Sequence, residues 1–155
     1  MKALSLWTPY SQLAVNGFKK YETRPFAPPS TLKVGDRFAI ASTKQIKSEQ
    51  EIAADHPRLA RYYRHTGLPD WRSLSRGCIV GTVKLGRTVE IVRNVIVDLP
   101  EEEYVYGDWR PGRFAWELLN PIVFATPIPV RGQQGIWDYR GEILEDQGGE
   151  VQTRS

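Results

Sequence analysis

Proline and glycine set the first limit on this chain. Eleven prolines and thirteen glycines are spread over 155 residues. Each proline removes a backbone donor, and each glycine permits turns that other residues resist. A helical bundle tolerates few such interruptions, so the chain is expected to fold from many short elements joined by turns. At this length that means one domain, and 41% apolar residues suffice for one ordinary core.

Local patterns place the elements. Residues 2–7 alternate and end on an aromatic, which predicts a strand. Thr8 followed by Pro9 predicts a helix start, with a capping hydroxyl and proline at the first helical position. Tyr10, Leu13 and Ala14 share one face of that helix, and Asn16-Gly17 ends it with a left-handed cap. Lys20–Phe26 and Arg37–Ser42 read as strands, the second after a Val34-Gly35-Asp36 turn, with Phe38 and Ile40 facing one way. Residues 45–65 look helical but are broken at Pro57, which is better placed as the first residue of a second helix. Cys78–Val83 and Val89–Ile96 are strand-like, rich in Ile and Val. Residues 100–111 read as an acidic connection. Arg113–Glu117 predicts a strand continuing into 122–124, and Ile136-Trp137 a last short one. The domain is expected to span residues 1–140, with 141–155 a polar, acidic tail. Strands interleaved with two or three helices predict an α+β fold: a small, closed or nearly closed mixed β-barrel of five to seven strands with flanking helices.

Several function classes drop out. A lone cysteine, Cys78, cannot form an intrachain disulfide or a zinc site of known pattern, and reads as a small buried hydrophobe. Absent disulfides fit a reducing compartment. The N-terminal apolar stretch is too short and interrupted for a signal peptide, and no run suits a membrane helix. A cytoplasmic protein without membrane contact is the expectation. His56 and His65 lie nine apart with no cysteine or acidic cluster to complete a metal set. There is no phosphate-binding loop, nucleophile elbow or dinucleotide fingerprint. No metal or cofactor is expected, and nothing in the pattern sets an oligomeric state.

Charge is uneven along the chain. Residues 1–97 hold sixteen Lys or Arg against seven Asp or Glu, whereas residues 98–155 hold five against eleven. Such a basic portion attracts polyanions, although an ordinary solvated surface also accommodates it. Three groups of residues stand out within it. Lys19, Lys20, Glu22 and Arg24 follow a helix exit. Strand alternation puts Glu22 and Arg24 on one face, where a carboxylate can orient cations for a phosphate or a base edge. The same residues can also make a surface ion-pair cluster worth under about 1 kcal/mol. Trp7, Thr8 and Tyr10 lie just upstream, where an aromatic beside cations suits base stacking or fills the barrel core. Arg58 and Arg61, with Arg64 and His65, form a helical stripe that either tracks a phosphate backbone or pairs with nearby acids in solvent. Phe114 and Trp116 alternate as in a half-buried strand.

Five segments together resemble the ASCH domains of the PUA-like superfamily. They are Ala3-Leu4-Ser5-Leu6-Trp7-Thr8-Pro9-Tyr10, Gly17-Phe18-Lys19-Lys20-Tyr21-Glu22-Thr23-Arg24, Gly77–Val83, Gly112–Leu118 and Gly135-Ile136-Trp137. The resemblance runs from about residue 2 to residue 138, and Gly17 to Arg24 is its most distinctive part. It implies a PUA-like barrel with a cleft beside the Gly-x-Lys segment, and RNA or nucleotide binding as the general role. It tips Lys19, Glu22 and Arg24 toward a ligand clamp. Some members resemble ribonucleases, and one short branch resembles an amidohydrolase acting on acetylated cytidine. That branch carries threonine three positions after the lysine. Here Glu22 stands there and Thr23 comes one step late, so the activity is not carried over. Three readings compete: a binder of RNA or nucleotides, with single-stranded RNA favoured as partner; a metal-independent hydrolase using Lys19 and Glu22 as catalytic pair; and a protein-interaction domain. The cleft is expected to gather Lys19, Glu22 and Arg24 with Trp7 or Thr8 on its wall, and Lys19 is expected to face solvent.

Overall fold

The computed structural model describes residues 1–93 and 99–143. Six strands form one mixed sheet: β1 (Lys2–Leu6), β2 (Tyr21–Arg24), β3 (Arg37–Ser42), β4 (Cys78–Glu90), β5 (Phe114–Pro129) and β6 (Ile136–Asp138). Their spatial order is β2-β5-β4-β3-β1-β6. Among the described residues only β1 and β3 run parallel; every other pairing is antiparallel. Register shifts along the long β4–β5 pair bend it, as bulges do, and the sheet curls into a half-barrel. The curl stops short of closure, and a cleft lies between β2 and β1.

Strand alternation divides the core. Leu4, Leu6, Phe38, Ile40, Val80 and Trp116 point to one face. Their sequence neighbours Ala3, Ala39, Ala41 and Ile79 point to the other, beneath Phe124 and Trp137. The first helix, α1 (Tyr10–Val15), packs against β4, β3 and β5. Gly81 makes this approach possible: a Cβ there would lie 2.0 Å from the Ile122 carbonyl oxygen and 2.8 Å from Val15 Cβ. Helices α2 (Ser48–Asp55), α3 (Pro57–Tyr63) and α4 (Glu101–Tyr106) gather over the other side of α1, around Leu13, Ala54, Leu59, Tyr63, Trp71 and Tyr106. Pro57 is indeed the first residue of α3, and the His56 ring accepts from the Arg58 N–H at 3.1 Å. No helix among the described residues is long and apolar enough to cross a membrane.

Three local expectations need correction. Thr8 does not cap α1. The N–H groups of its first turn go to the Trp7 and Pro9 carbonyls, while the buried Thr8 hydroxyl pairs with Ser42 Oγ at 2.7 Å and Gln12 Oε1 at 3.1 Å. The acidic connection contains a helix, α4. Pro100 starts it, and Glu101, Glu102 and Glu103 occupy its first turn, where carboxylates favour the positive end of the helix dipole. Finally, β4 runs unbroken through Lys84–Thr88, and the strand read as Val89–Ile96 contributes only Val89 and Glu90. Residues 91–93 have left the sheet, and 94–96 lie outside the described residues, as does the tail from 144 onward.

Candidate nucleic-acid interface

The approach to the cleft begins at the α1 exit. Gly17 adopts φ +82°, and the N–H groups of Phe18 and Lys19 both return to the Leu13 carbonyl at 2.9 Å. This tight hook aims Lys19 inward, so it is 2% exposed rather than solvent-facing. Its ammonium has three hydrogens and three acceptors: the Tyr21 carbonyl, the Tyr106 carbonyl at 3.3 Å and Glu22 Oε1 at 3.3 Å. Glu22 is itself buried, and its other oxygen meets Arg24 Nε at 2.7 Å. Arg24 Nη2 then donates to the Ser5 carbonyl at 3.1 Å, spanning from β2 to β1. The result is a buried row of cation, anion and cation that joins the two sides of the half-barrel.

Glu103 supports this row from α4. Its carboxylate accepts from the Lys20 N–H at 2.8 Å, while its other oxygen is buried without a hydrogen-bond partner among the described residues. Burial pushes its carboxyl above the usual range, partly offset by Lys19 and by the N–H groups of Lys20 and Tyr21. Lys20 thus contributes its backbone; its side chain is exposed and lies off the cleft wall.

The cleft itself has a volume of about 1130 Å³. Six cations line it (Lys19, Arg24, Lys44, Lys47, Arg113 and Arg131) against two carboxylates, Glu22 and Asp108. Asp108 is engaged by Arg110, whose hydrogen bonds hold its carboxyl below the usual range, and Arg113 donates to the Asp108 carbonyl at 3.0 Å. Trp7 stands on the wall and is half-buried, whereas the chain's other four tryptophans are all buried. Its neighbour Thr8 points the opposite way, into the Ser42–Gln12 pocket. Behind the rim, Gln50 fixes the Lys47 end of α2 by donating to the Thr8 carbonyl at 2.9 Å.

The helical stripe is elsewhere. Arg58 lines a second, smaller cavity of about 380 Å³ that shares Tyr10 with the cleft. Arg61 is exposed, with its guanidinium 5.9 Å from the Tyr62 ring centre. Arg64 and His65 lie beyond α3 in a 3₁₀ turn, so the regular stripe ends at Arg61. The structure therefore brings Trp7, Lys19, Glu22 and Arg24 to one cleft and leaves Thr8, Lys20, Arg58 and Arg61 off its wall. Sequence reasoning missed Lys44, Lys47, Arg113 and Arg131. Each is a single cation in a loop or at an element's end, and only the 44–47 cluster carried a local signal.

No protein-family model matches the chain, and no curated protein matches it. Solved structures do. The crystal structure of ZmASCH from Zymomonas mobilis superposes with a TM-score of 0.51, at 16% identity, covering 98% of this chain and 93% of that one. A tyrosine-to-phenylalanine variant of that protein gives 0.51, and a serine-to-alanine variant 0.50, each at 16% identity and over 98% of this chain. Of those chains, 96% and 94% respectively are covered. The architecture of this protein, six strands in a half-barrel with flanking helices among the described residues, is accordingly the fold seen in ASCH structures.

Proposed function

We propose that the chain binds a nucleotide or single-stranded RNA in the cleft between β1 and β2. The observation that carries this reading is the joint presence, in one cavity, of a sixfold cationic lining and the one tryptophan that is not buried. Cations supply a sequence-independent attraction for phosphates. A half-open indole supplies a stacking surface worth about 1–3 kcal/mol per base. The binding unit is taken as residues 1–140, in a cytoplasmic setting that suits a lone, buried thiol.

The test is titration of the pure protein with labelled single-stranded RNA in EDTA, read by gel shift and by product analysis. Saturable binding that weakens with salt, and weakens further in Trp7→Ala and in Lys44→Ala/Lys47→Ala, is the expected result. Absence of any shift at low salt sinks the reading and leaves the protein-interaction alternative.

A hydrolase reading rests on a separate observation, the Lys19–Glu22 contact of 3.3 Å inside the same cleft. In that reading Glu22 takes a proton from the attacking group, and Lys19 holds the carboxylate in place. Fragments formed in EDTA and lost in Glu22→Gln would establish it; intact RNA after prolonged incubation would remove it.

A further inference from the structure

The buried row distributes its hydrogen-bonding capacity unequally. Lys19 donates to two backbone carbonyls and pairs with Glu22 Oε1 at 3.3 Å. Glu22 has one cation on each carboxylate oxygen. Arg24 differs. Its Nε lies 2.7 Å from Glu22 Oε2 in an ion pair but makes no hydrogen bond, one Nη2 hydrogen goes to the Ser5 carbonyl, and Nη1 has no partner among the described residues. Its side chain is 20% exposed and lines the cleft. One hydrogen bond and one ion pair hold the guanidinium at the cleft wall, and its remaining N–H groups have no protein acceptor among the described residues. The row of two cations and one anion carries a net single positive charge, and it emerges at Arg24.

We infer that Arg24 is the specificity-determining residue of the cleft and selects a phosphate group: the ligand is a phosphorylated nucleotide, free or at the end of an RNA chain, rather than a neutral nucleoside. This rests on the nucleotide reading above and names which chemical group the site demands. A planar N–H fork matches two oxygens of a phosphate, and its prior orientation spares the ordering cost that a free arginine would incur. Lys19 and Glu22 are positioning residues in this scheme, since they act through Arg24.

Isothermal titration calorimetry with adenosine, uridine and their 5′-monophosphates tests it, in the wild type, Arg24→Gln and Arg24→Lys, each checked for folding by thermal melting. The expected result is a preference for each monophosphate over its nucleoside of at least about tenfold. In Arg24→Gln that preference falls to within about twofold while nucleoside binding is retained. Arg24→Lys keeps a cation beside Glu22, which guards against misfolding, and restores only part of the preference because the fork is gone. A short RNA with a 5′-phosphate, compared with its 5′-hydroxyl form, separates the two sources. An Arg24-dependent difference assigns the site to chain ends; no difference, with the mononucleotide preference intact, assigns it to free nucleotides. Equal binding of nucleoside and monophosphate in the wild type, or a preference that survives Arg24→Gln, overturns the inference and leaves nucleotide binding standing. Failure of every nucleoside, nucleotide and RNA to bind folded wild type overturns both.

Discussion

Replacing Lys19 with methionine separates a buried ion pair from a surface one. The side chain keeps its length and stem but loses the ammonium. The Tyr106 carbonyl, which is buried, and the Tyr21 carbonyl, which is partly so, lose this donor, and hydrogen bonds to charged groups contribute about 1.5–3 kcal/mol each. Glu22 loses one of its two cations. Removing one partner of a buried pair costs about 3–5 kcal/mol. The surviving Arg24 interaction, and relief of the lysine's own desolvation, pull the figure to the lower end, about 3 kcal/mol. In urea unfolding, with a slope of about 1–3 kcal/mol/M, the midpoint should fall by about 1–3 M. A solvent-facing lysine would change it by under about 0.5 kcal/mol. The double variant Lys19→Met/Glu22→Gln should cost less than the sum of the single changes, by about 1–3 kcal/mol, because Glu22 is then no longer a buried carboxylate that has lost one of its cations. A single-variant loss below about 1 kcal/mol, or strict additivity in the double variant, would refute the buried row.

Three further outcomes are expected. Glu103 has its carboxyl raised by burial, so its stabilising contribution is full below the unfolded carboxylate value and is lost as pH rises through the folded one; Glu103→Gln should flatten that decline in urea midpoints measured from acid to neutral pH. Arg58→Ala/Arg61→Ala should leave mononucleotide affinity unchanged while lowering the salt slope for longer RNA, by about 0.7 for each phosphate no longer neutralised, in fluorescence titrations over a salt series. Gly81→Ala should destabilise the fold by about 3 kcal/mol or more in thermal melts, because its new Cβ meets the Ile122 carbonyl, which is backbone and cannot swing aside.

Some of this architecture is written in short-range patterns. Arg37–Ser42 appears with its observed bounds because alternation follows a glycine turn and because Phe38 and Ile40 need one face while Ala39 and Ala41 fit the other. Pro57 and Gly17 mark boundaries by backbone chemistry alone, and both boundaries stand in the fold. Helix α4 was illegible because a run of three glutamates reads as solvated charge; only its neighbours in space, α3 and the Lys20 N–H, give those residues a reason to fold. The burial of Lys19 was hidden for the same reason. One of its three acceptors, the Tyr106 carbonyl, lies 87 positions away, and no local periodicity predicts that a lysine will find it. Thr8 faces away from the cleft because Ser42, far from it in the chain, and Gln12 take its hydroxyl.

The outer margin of β2 carries a consequence beyond ligand recognition. Strand pairing with β5 uses the backbone of Lys20 and its alternates, which leaves the carbonyls of Tyr21 and Thr23 pointing outward from the sheet. Lys19 occupies the first and Arg113 the second, at 3.2 Å. A terminal strand with vacant carbonyls invites another chain to add itself. The cations that shape the pocket therefore also act as stoppers against self-association. Loss of Lys19 and Arg113 together would leave both of these carbonyls without their donors.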